Sequence, residues 1–588
     1  MVLNIIAIAQ DLPQQGFLPI TNFSQQDYDA LAQNWDITQD KRGVMYFGNN
    51  NSVLEFDGVS WRKINVTNGS VVKSIDVDAN GRIYVGALNE FGYLSPDSVG
   101  QMVYISLSER LDPEYSNFNE IWTTHVTNQG VIFQAWDYLF LYKDDSIHIE
   151  FPETNFRKAF CVRGNYYTYQ QGKGLTILKN GENKLVPGGE LFEDLSIVGM
   201  IPVSNNRILV ATAFNGLYMM HQDNGKGSIK RLITSIEDIL IQVELYNAIK
   251  IDENSFSLGT WGNGAIIIDS MWNIESLLDQ YGGLQDQVVT EQFVDRSGNL
   301  WLALQNGLSR VEINSQTSFY SEQSGIRGSV QSITRFNNTL YVASLRGLYY
   351  LDKEEVDERI NGVNTPIFKV VPGMEEEECW DLITFRYDQE ELLLVVLTDH
   401  VRQVDTENQY TTILEEYPWK VYQSELDPAR VFVGTENGLT SLYRINKEWK
   451  IEGRVEGINE EILKMSEDFI GNLWLGTPYY VVLKVNILSF DEENKIKDIK
   501  VTRYDSTQGL PDGPYIFSQA RGPLMIATDK GLYKYLAHLN RFKPDSTFGD
   551  QFGDGSRYIH RIAGDPETDI WMFTALGGQK PYEVGYLK

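Results

Sequence analysis

The sequence predicts an all-β protein built as two tandem seven-bladed β-propellers. A phrase recurs along the chain about every 44 residues, a spacing typical of stacked four-stranded units. Its fullest form is Asp295-Arg-Ser-Gly298-Asn-Leu-Trp301-Leu-Ala, followed by Asn306-Gly307-Leu308. Each copy alternates strand-forming Leu, Ile, Val, Tyr and Trp with turn residues, so the repeating unit is a set of hairpins.

The copies run in order. Asp40 to Gly48, Asp78 to Gly86, Asp295 to Ala303 and Asp468 to Gly476 are near-complete. Fainter ones, with an apolar strand, a polar turn and an aromatic strand, begin near Gln129, Gly164, Asn206, Asn254, Asn338, Gln389, Ala429, Gly522 and Thr568. In the turn, Asp offers a carboxylate to backbone N–H groups and Gly accepts the exit conformation. In the strand that follows, bulky residues fill the space between sheets while Gly or Ala sits near a crowded axis. Asn-Gly and Lys-Gly pairs at Asn215, Asn263, Asn306, Asn437 and Lys530 mark the next hairpin, both residues of such a pair accepting positive φ. One blade reads as three clear strands and a variable outer one.

At 588 residues the chain exceeds a single core. Residues 1–18 read as a partial signal sequence and leader, because an apolar start ends in Ala7-Ile8-Ala9, the small-x-small pattern of a cleavage site. Residues 19–315 hold seven copies, the first propeller. Residues 316–588 hold six copies and a remainder, the second, with the missing strands expected from the N-terminal segment or from residues beyond Lys588. The polar stretch near 314–328 is the boundary.

A net charge of −30 opposes a nucleic-acid surface, which needs a basic face. Cys161 and Cys379 fall in different propellers, which argues against a mutual disulfide and for burial as small apolar residues. The six histidines are scattered singly, without metal-ligand spacing, and no nucleophile elbow, phosphate loop or dinucleotide fingerprint occurs. No catalytic residue, metal or cofactor is expected.

Binding residues are expected in the loops after the second strand of each blade, which gather around the central channel. In the first propeller these are Asn49 and Asn50, Asn89 and Glu90, Trp136 and Asp137, Gln170 and Gln171, Phe214 and Asn215, Trp261 and Asn263, and Gln305 and Asn306. Amides for hydroxyls and flat rings for C–H faces suit a sugar or another polyhydroxyl compound. The matching positions of the second propeller, among them Arg346, Asp399, His400, Glu436, Asn437, Tyr479, Tyr480 and Asp529, are more charged.

Asp-x-x-Gly-x-Leu-Trp-Leu-Gly/Ala with a following Asn-Gly-Leu resembles the two-component regulator propeller repeat. That repeat belongs to the exported sensor regions of Bacteroidetes-type hybrid histidine kinases and of membrane-anchored transcription regulators. The opening section, with Phe23, Tyr28, Trp35, Asp57-Gly58, Trp61 and Glu90-Phe-Gly92-Tyr, is similar to the first two blades of that group. The resemblance implies a periplasmic ligand-sensing ectodomain, a homodimer in its full-length context, with its membrane anchor and output module in residues outside this sequence. A two-propeller glycoside hydrolase or lyase and a non-catalytic scaffold are the alternatives. The hydrolase is disfavoured because the sialidase-type turn Ser-x-Asp-x-Gly-x-x-Trp does not match this phrase.

Overall fold

The computed structural model describes residues 16–587, apart from 180, 222–226, 316, 321, 353–366, 514, 518–523, 565–569 and 578–581. Of the leader expected at residues 1–18, residues 1–15 lie outside the described residues, and Phe17 forms an antiparallel bridge with Phe319. The structure is a series of antiparallel sheets, and its contacts divide the chain into two units with the break between Tyr320 and Ser321.

Seven four-stranded sheets make up the first unit. Their innermost strands are Asn34–Gln39, Val72–Val77, Thr123–Thr127, Phe156–Val162, Ile197–Ser204, Leu245–Lys250 and Val289–Val294. Each touches the next, and the last touches the first, so the series closes into a ring. Polar side chains stitch the ring from sheet to sheet. Asp36 accepts the Ile75 N–H (2.8 Å), Asp76 accepts the Val126 N–H (2.7 Å), and Thr290 donates to the Asn34 carbonyl (2.6 Å), which bonds the seventh sheet to the first.

The N-terminal strand Ile20–Phe23 is the outermost strand of the seventh sheet, paired with Gly307–Val311 so that Ile20 faces Val311 and Phe23 faces Leu308. This corrects one expectation: the N-terminal segment completes the first unit and does not supply the second. The aromatic groups decide it. Phe23 stacks on Trp301 (5.5 Å) and meets Trp61 edge-on (5.4 Å), while Asn22 accepts from Ser309 and donates to the Gly283 carbonyl.

In the second unit the described residues form five four-stranded sheets and one three-stranded sheet. The innermost strands are Val330–Phe336, Cys379–Tyr387, Pro418–Gln423, Lys464–Glu467, Tyr515–Phe517 and Arg557–Gly564, each in contact with the next.

The turn chemistry holds. Asp295 Oδ1 accepts the N–H groups of Ser297 (2.8 Å) and Asn299 (2.9 Å), and Gly298 exits at φ +81°. The small residue of the second strand meets the crowding expected of it. A Cβ on Gly86 would lie 2.4 Å from the Ile121 side chain, and one on Gly434 would lie 2.7 Å from the Ile462 carbonyl. The Asn-Gly hairpins differ from expectation, because positive φ is confined to the glycine, as at Gly216 (+76°) and Gly264 (+71°). A threonine replaces the second positive φ. Thr212 donates its hydroxyl to the Gly216 carbonyl and accepts the Asn215 N–H, and Thr260 repeats the pattern with Gly264 and Asn263. Cys379 is buried, Cys161 is half-buried, and both are free thiols.

Candidate functional site

A repeated irregularity builds the site. Six of the first unit's innermost strands carry a β-bulge one residue into the strand or immediately beside it, and a bulge re-aims the extra side chain. The extra residues are Trp35, Lys73, Arg157, Val198, Tyr246 and Thr290, and Trp122 stands at the matching place just before Thr123.

Several of these residues form a ladder of rings and cations that crosses four sheets. The Lys73 ammonium lies 3.1 Å from the Trp35 ring centre and 4.9 Å from that of Trp122. Trp122 stacks on Trp136 at 5.9 Å with the planes 8° apart, and the Arg157 guanidinium sits 4.9 Å from the Trp136 ring. Across the ring Tyr246 packs on Trp261 at 4.9 Å. Trp136 is 42% exposed and Trp261 40%, so ring faces remain open to solvent. Each cation–π contact contributes about 0.5–2 kcal/mol and fixes the ring it touches.

One residue deeper three of the side chains are charged. Asp36, Lys158 and Glu291 each follow the bulge of their strand. Lys158 donates to the Tyr246 carbonyl (3.2 Å), two sheets away, and interacts electrostatically with Glu291 and Asp36. Groups on the fourth, sixth, seventh and first sheets meet only through the centre of the ring. These side chains therefore line the channel.

Loss of hydration raises Asp36 well above the ordinary carboxylate range, and the neighbouring Glu291 adds to the effect. It raises Glu291 too, against the pull of Lys158, and it lowers Lys158 against the pull of Glu291 and Asp36. Below them Asp76 is raised and His125 lowered by the same cause, each partly offset by the other. The charge on each of these groups thus bears on its neighbours' protonation. Among the described residues no group of three or more His, Cys, Asp or Glu is arranged to hold a metal ion.

The loop residues expected from sequence divide into two sets. Asn50 accepts the Trp35 indole N–H (2.6 Å), Gln171 accepts from Arg157 (2.9 Å), and Trp136 and Trp261 extend the aromatic surface. Phe214, Gln305 and Asn306 are exposed, and Asp137 is held by Asn155 (2.6 Å). The others serve the fold. Asn49 is fully buried and donates to the Leu31 and Gln33 carbonyls and to Asn34, and Asn89 clips the Asn119 backbone. Glu90 is buried beneath the hydroxyls of Tyr104, Ser106 and Ser108 at 2.5–3.0 Å, and Asn215 and Asn263 serve their turns. The ladder and the charged level beneath it were not anticipated. A signal for them existed: Trp35, Lys73 and Thr290 all stand five residues before the turn aspartate of their repeat, and Asp36, Ser74 and Glu291 stand four before it.

The structure is similar to the extracellular domain of the proposed hybrid two component system BT3049 from B. thetaiotaomicron. The TM-score is 0.60 at 14% identity, over 95% of this chain and 82% of that one. The fold is the β-propeller. A second extracellular domain of that organism, from BT4673, matches with a TM-score of 0.41 at 13% identity over 97% of this chain and 78% of that one. Virginiamycin B lyase from Staphylococcus aureus matches with a TM-score of 0.37 at 12% identity, over 50% of this chain and 98% of that one. No family model and no curated protein matches the sequence. The BT3049 domain is the extracellular part of a hybrid two component system, the kind of protein in which the repeat that the phrase resembles occurs. No helix among the described residues is long and apolar enough to cross a membrane.

Proposed function

We propose that this chain is the ligand-sensing ectodomain of an exported signal-transduction regulator, and that its ligand is an oligosaccharide seated at the channel mouth of the first unit. One observation carries the reading: Trp35, Lys73, Trp122, Trp136 and Arg157 form a continuous aromatic and cationic surface over a polar channel. Ring faces stack on the C–H faces of sugars, and the cations and nearby amides supply hydrogen bonds. The likeness in fold to sensor ectodomains supports the same reading. In this proposal the region is periplasmic, dimerises in the full-length regulator, and passes occupancy to an anchor and output module outside these residues.

Intrinsic tryptophan fluorescence titrated with a panel of neutral and acidic oligosaccharides tests the proposal. Saturable binding of one sugar, lost in Trp122→Ala and Trp136→Ala, is the expected result. Equal affinity in both variants would overturn it, and release of reducing sugar would favour the hydrolase instead.

A further inference from the structure

The second unit repeats the charged level that lies beneath the first unit's mouth, with the opposite net sign. Ser332, Asp381, Lys420 and Arg561 each follow the bulge of their innermost strand, and Lys464 stands four residues before the turn aspartate Asp468, the same place in its repeat. Three cations and one carboxylate thus share a level of the wall. Asp381 is already engaged, accepting from the Lys420 ammonium (2.9 Å) and from the Val421 N–H (3.2 Å). Among the described residues no carboxylate forms an ion pair with Lys464 or Arg561. Hydration loss lowers Lys464, and the positive charges of Lys420 and Arg561 lower it further against the pull of Asp381. Arg561 lies two sheets from Lys464, both side chains are open to solvent, and their electrostatic interaction places them on the inner side of their strands. Trp380 and Trp419 are the bulged residues one step nearer the mouth, their rings edge-to-face at 5.1 Å.

Uncompensated like charges held at one level repel each other. In a chain with 80 acidic and 50 basic residues such a cluster is not background composition. We propose that the channel of the second unit is a binding site for a small molecule bearing an anionic oxygen group, a carboxylate, sulfate or phosphate, held by Lys420, Lys464 and Arg561 beneath Trp380 and Trp419. Arg561 offers the planar fork that suits such groups, and the two lysines are mobile point charges. This site is separate from the mouth of the first unit and does not depend on it.

Isothermal titration of the full chain with D-glucuronate, inorganic sulfate and inorganic phosphate, with D-glucose as the neutral control, tests the inference. At least one anion binds saturably and glucose does not, and the anion that binds tightest assigns the group. Lys464→Gln and Arg561→Gln each weaken binding about tenfold. Lys464→Arg keeps it within about threefold. Lys464→Gln also raises the melting temperature of the free protein, since one of three like charges is gone, which separates lost binding from lost folding. Trp122→Ala in the first unit leaves anion binding unchanged, so the two sites fail or stand independently. Binding of none of the three anions at millimolar concentration, or equal binding by Lys464→Gln and Arg561→Gln, would overturn the inference.

Discussion

The indole N–H of Trp301 donates to Oδ2 of Asp295 at 2.9 Å, and Trp474 makes the same bond to Asp468 at the same distance. The first and seventh positions of the repeated phrase are thus one hydrogen-bonded pair. The aspartate spends one oxygen on its turn and the other on the ring that fills the gap to the next sheet. Trp474 is fully buried, so its donor has no access to water. Asp468→Ala leaves that donor and two turn N–H groups unpaired and costs about 2–4 kcal/mol, read from a shifted denaturant midpoint of the second unit's transition.

The same pair sets an acid limit. Burial opposes the charge of Asp295, but bonds from Asn299, Trp301 and Ser297 overcome it and hold the carboxyl below its ordinary value. A depressed acid contributes stability above its unfolded value of about 3.9 and loses it as the pH falls through the folded value. The stability gap between wild type and Asp295→Asn should therefore be full at neutral pH and shrink as the pH falls below the ordinary carboxylate range. A gap independent of pH would count against the assignment.

Phe23 adds to ring closure in the first unit by bridging Trp301 and Trp61. Phe23→Ala removes a half-buried ring from that cluster and costs about 2 kcal/mol. Hydrogen exchange should show the loss first in Gly307–Val311, the strand that Ile20–Phe23 covers. Unchanged protection there would mean that the closing strand contributes little.

Lys73, between two indole rings, is lowered to about 8 by lost hydration, against the pull of Glu120. Above that pH the folded protein releases a proton that the unfolded chain keeps until about 10.4. The unfolded state then binds more protons, so this group adds stability as the pH rises from about 8 to 10.4. Lys73→Met removes that increment. Stability measured near neutral and near about pH 9.5 should change more steeply in wild type than in the variant.

In the second unit Arg430 and Glu452 form an ion pair with side chains 1% and 2% exposed, and Arg430 also donates to Ser441 (3.1 Å) and to the Asn494 carbonyl (2.8 Å). Arg430→Met strands a buried carboxylate and costs about 3–5 kcal/mol. Adding Glu452→Leu removes the orphaned charge and recovers most of the loss. A double variant as unstable as the single one would show that the arginine acts through its other bonds.

Fold class was legible because it depends on local chemistry that repeats: Asp295, Gly298 and Trp301 announce turn, exit and wedge in one short phrase, and each copy reinforces the reading. The partner of Ile20–Phe23 was not legible. A four-residue strand carries too little pattern to name a mate nearly three hundred positions away, and the matching rings of Phe23, Trp61 and Trp301 become neighbours only once the ring is drawn. The site was half legible for a related reason. Asn50, Trp136 and Trp261 announced themselves as polar or aromatic residues in loops. Trp35, Lys73, Asp36 and Glu291 sit at the start of strands whose alternation they interrupt, and a bulge is invisible in a single repeat. Aligning the repeats on Asp40, Asp78 and Asp295 would have placed them in shared columns.

The strand Ile20–Phe23 is made long before the strand it pairs with and is needed to finish the first unit. Its mate is complete only when Val311 has been added, about 15–60 s later at 5–20 residues per second. Throughout that interval the growing polypeptide carries two bare strand edges, each able to pair with a neighbouring copy. The chemistry that guards them is short length and polarity: the waiting strand has only four residues, with Thr21 and Asn22 at its centre. Substituting Thr21 alone with valine would keep the Asn22 bonds of the finished ring and leave the waiting strand readier to pair with a neighbouring copy.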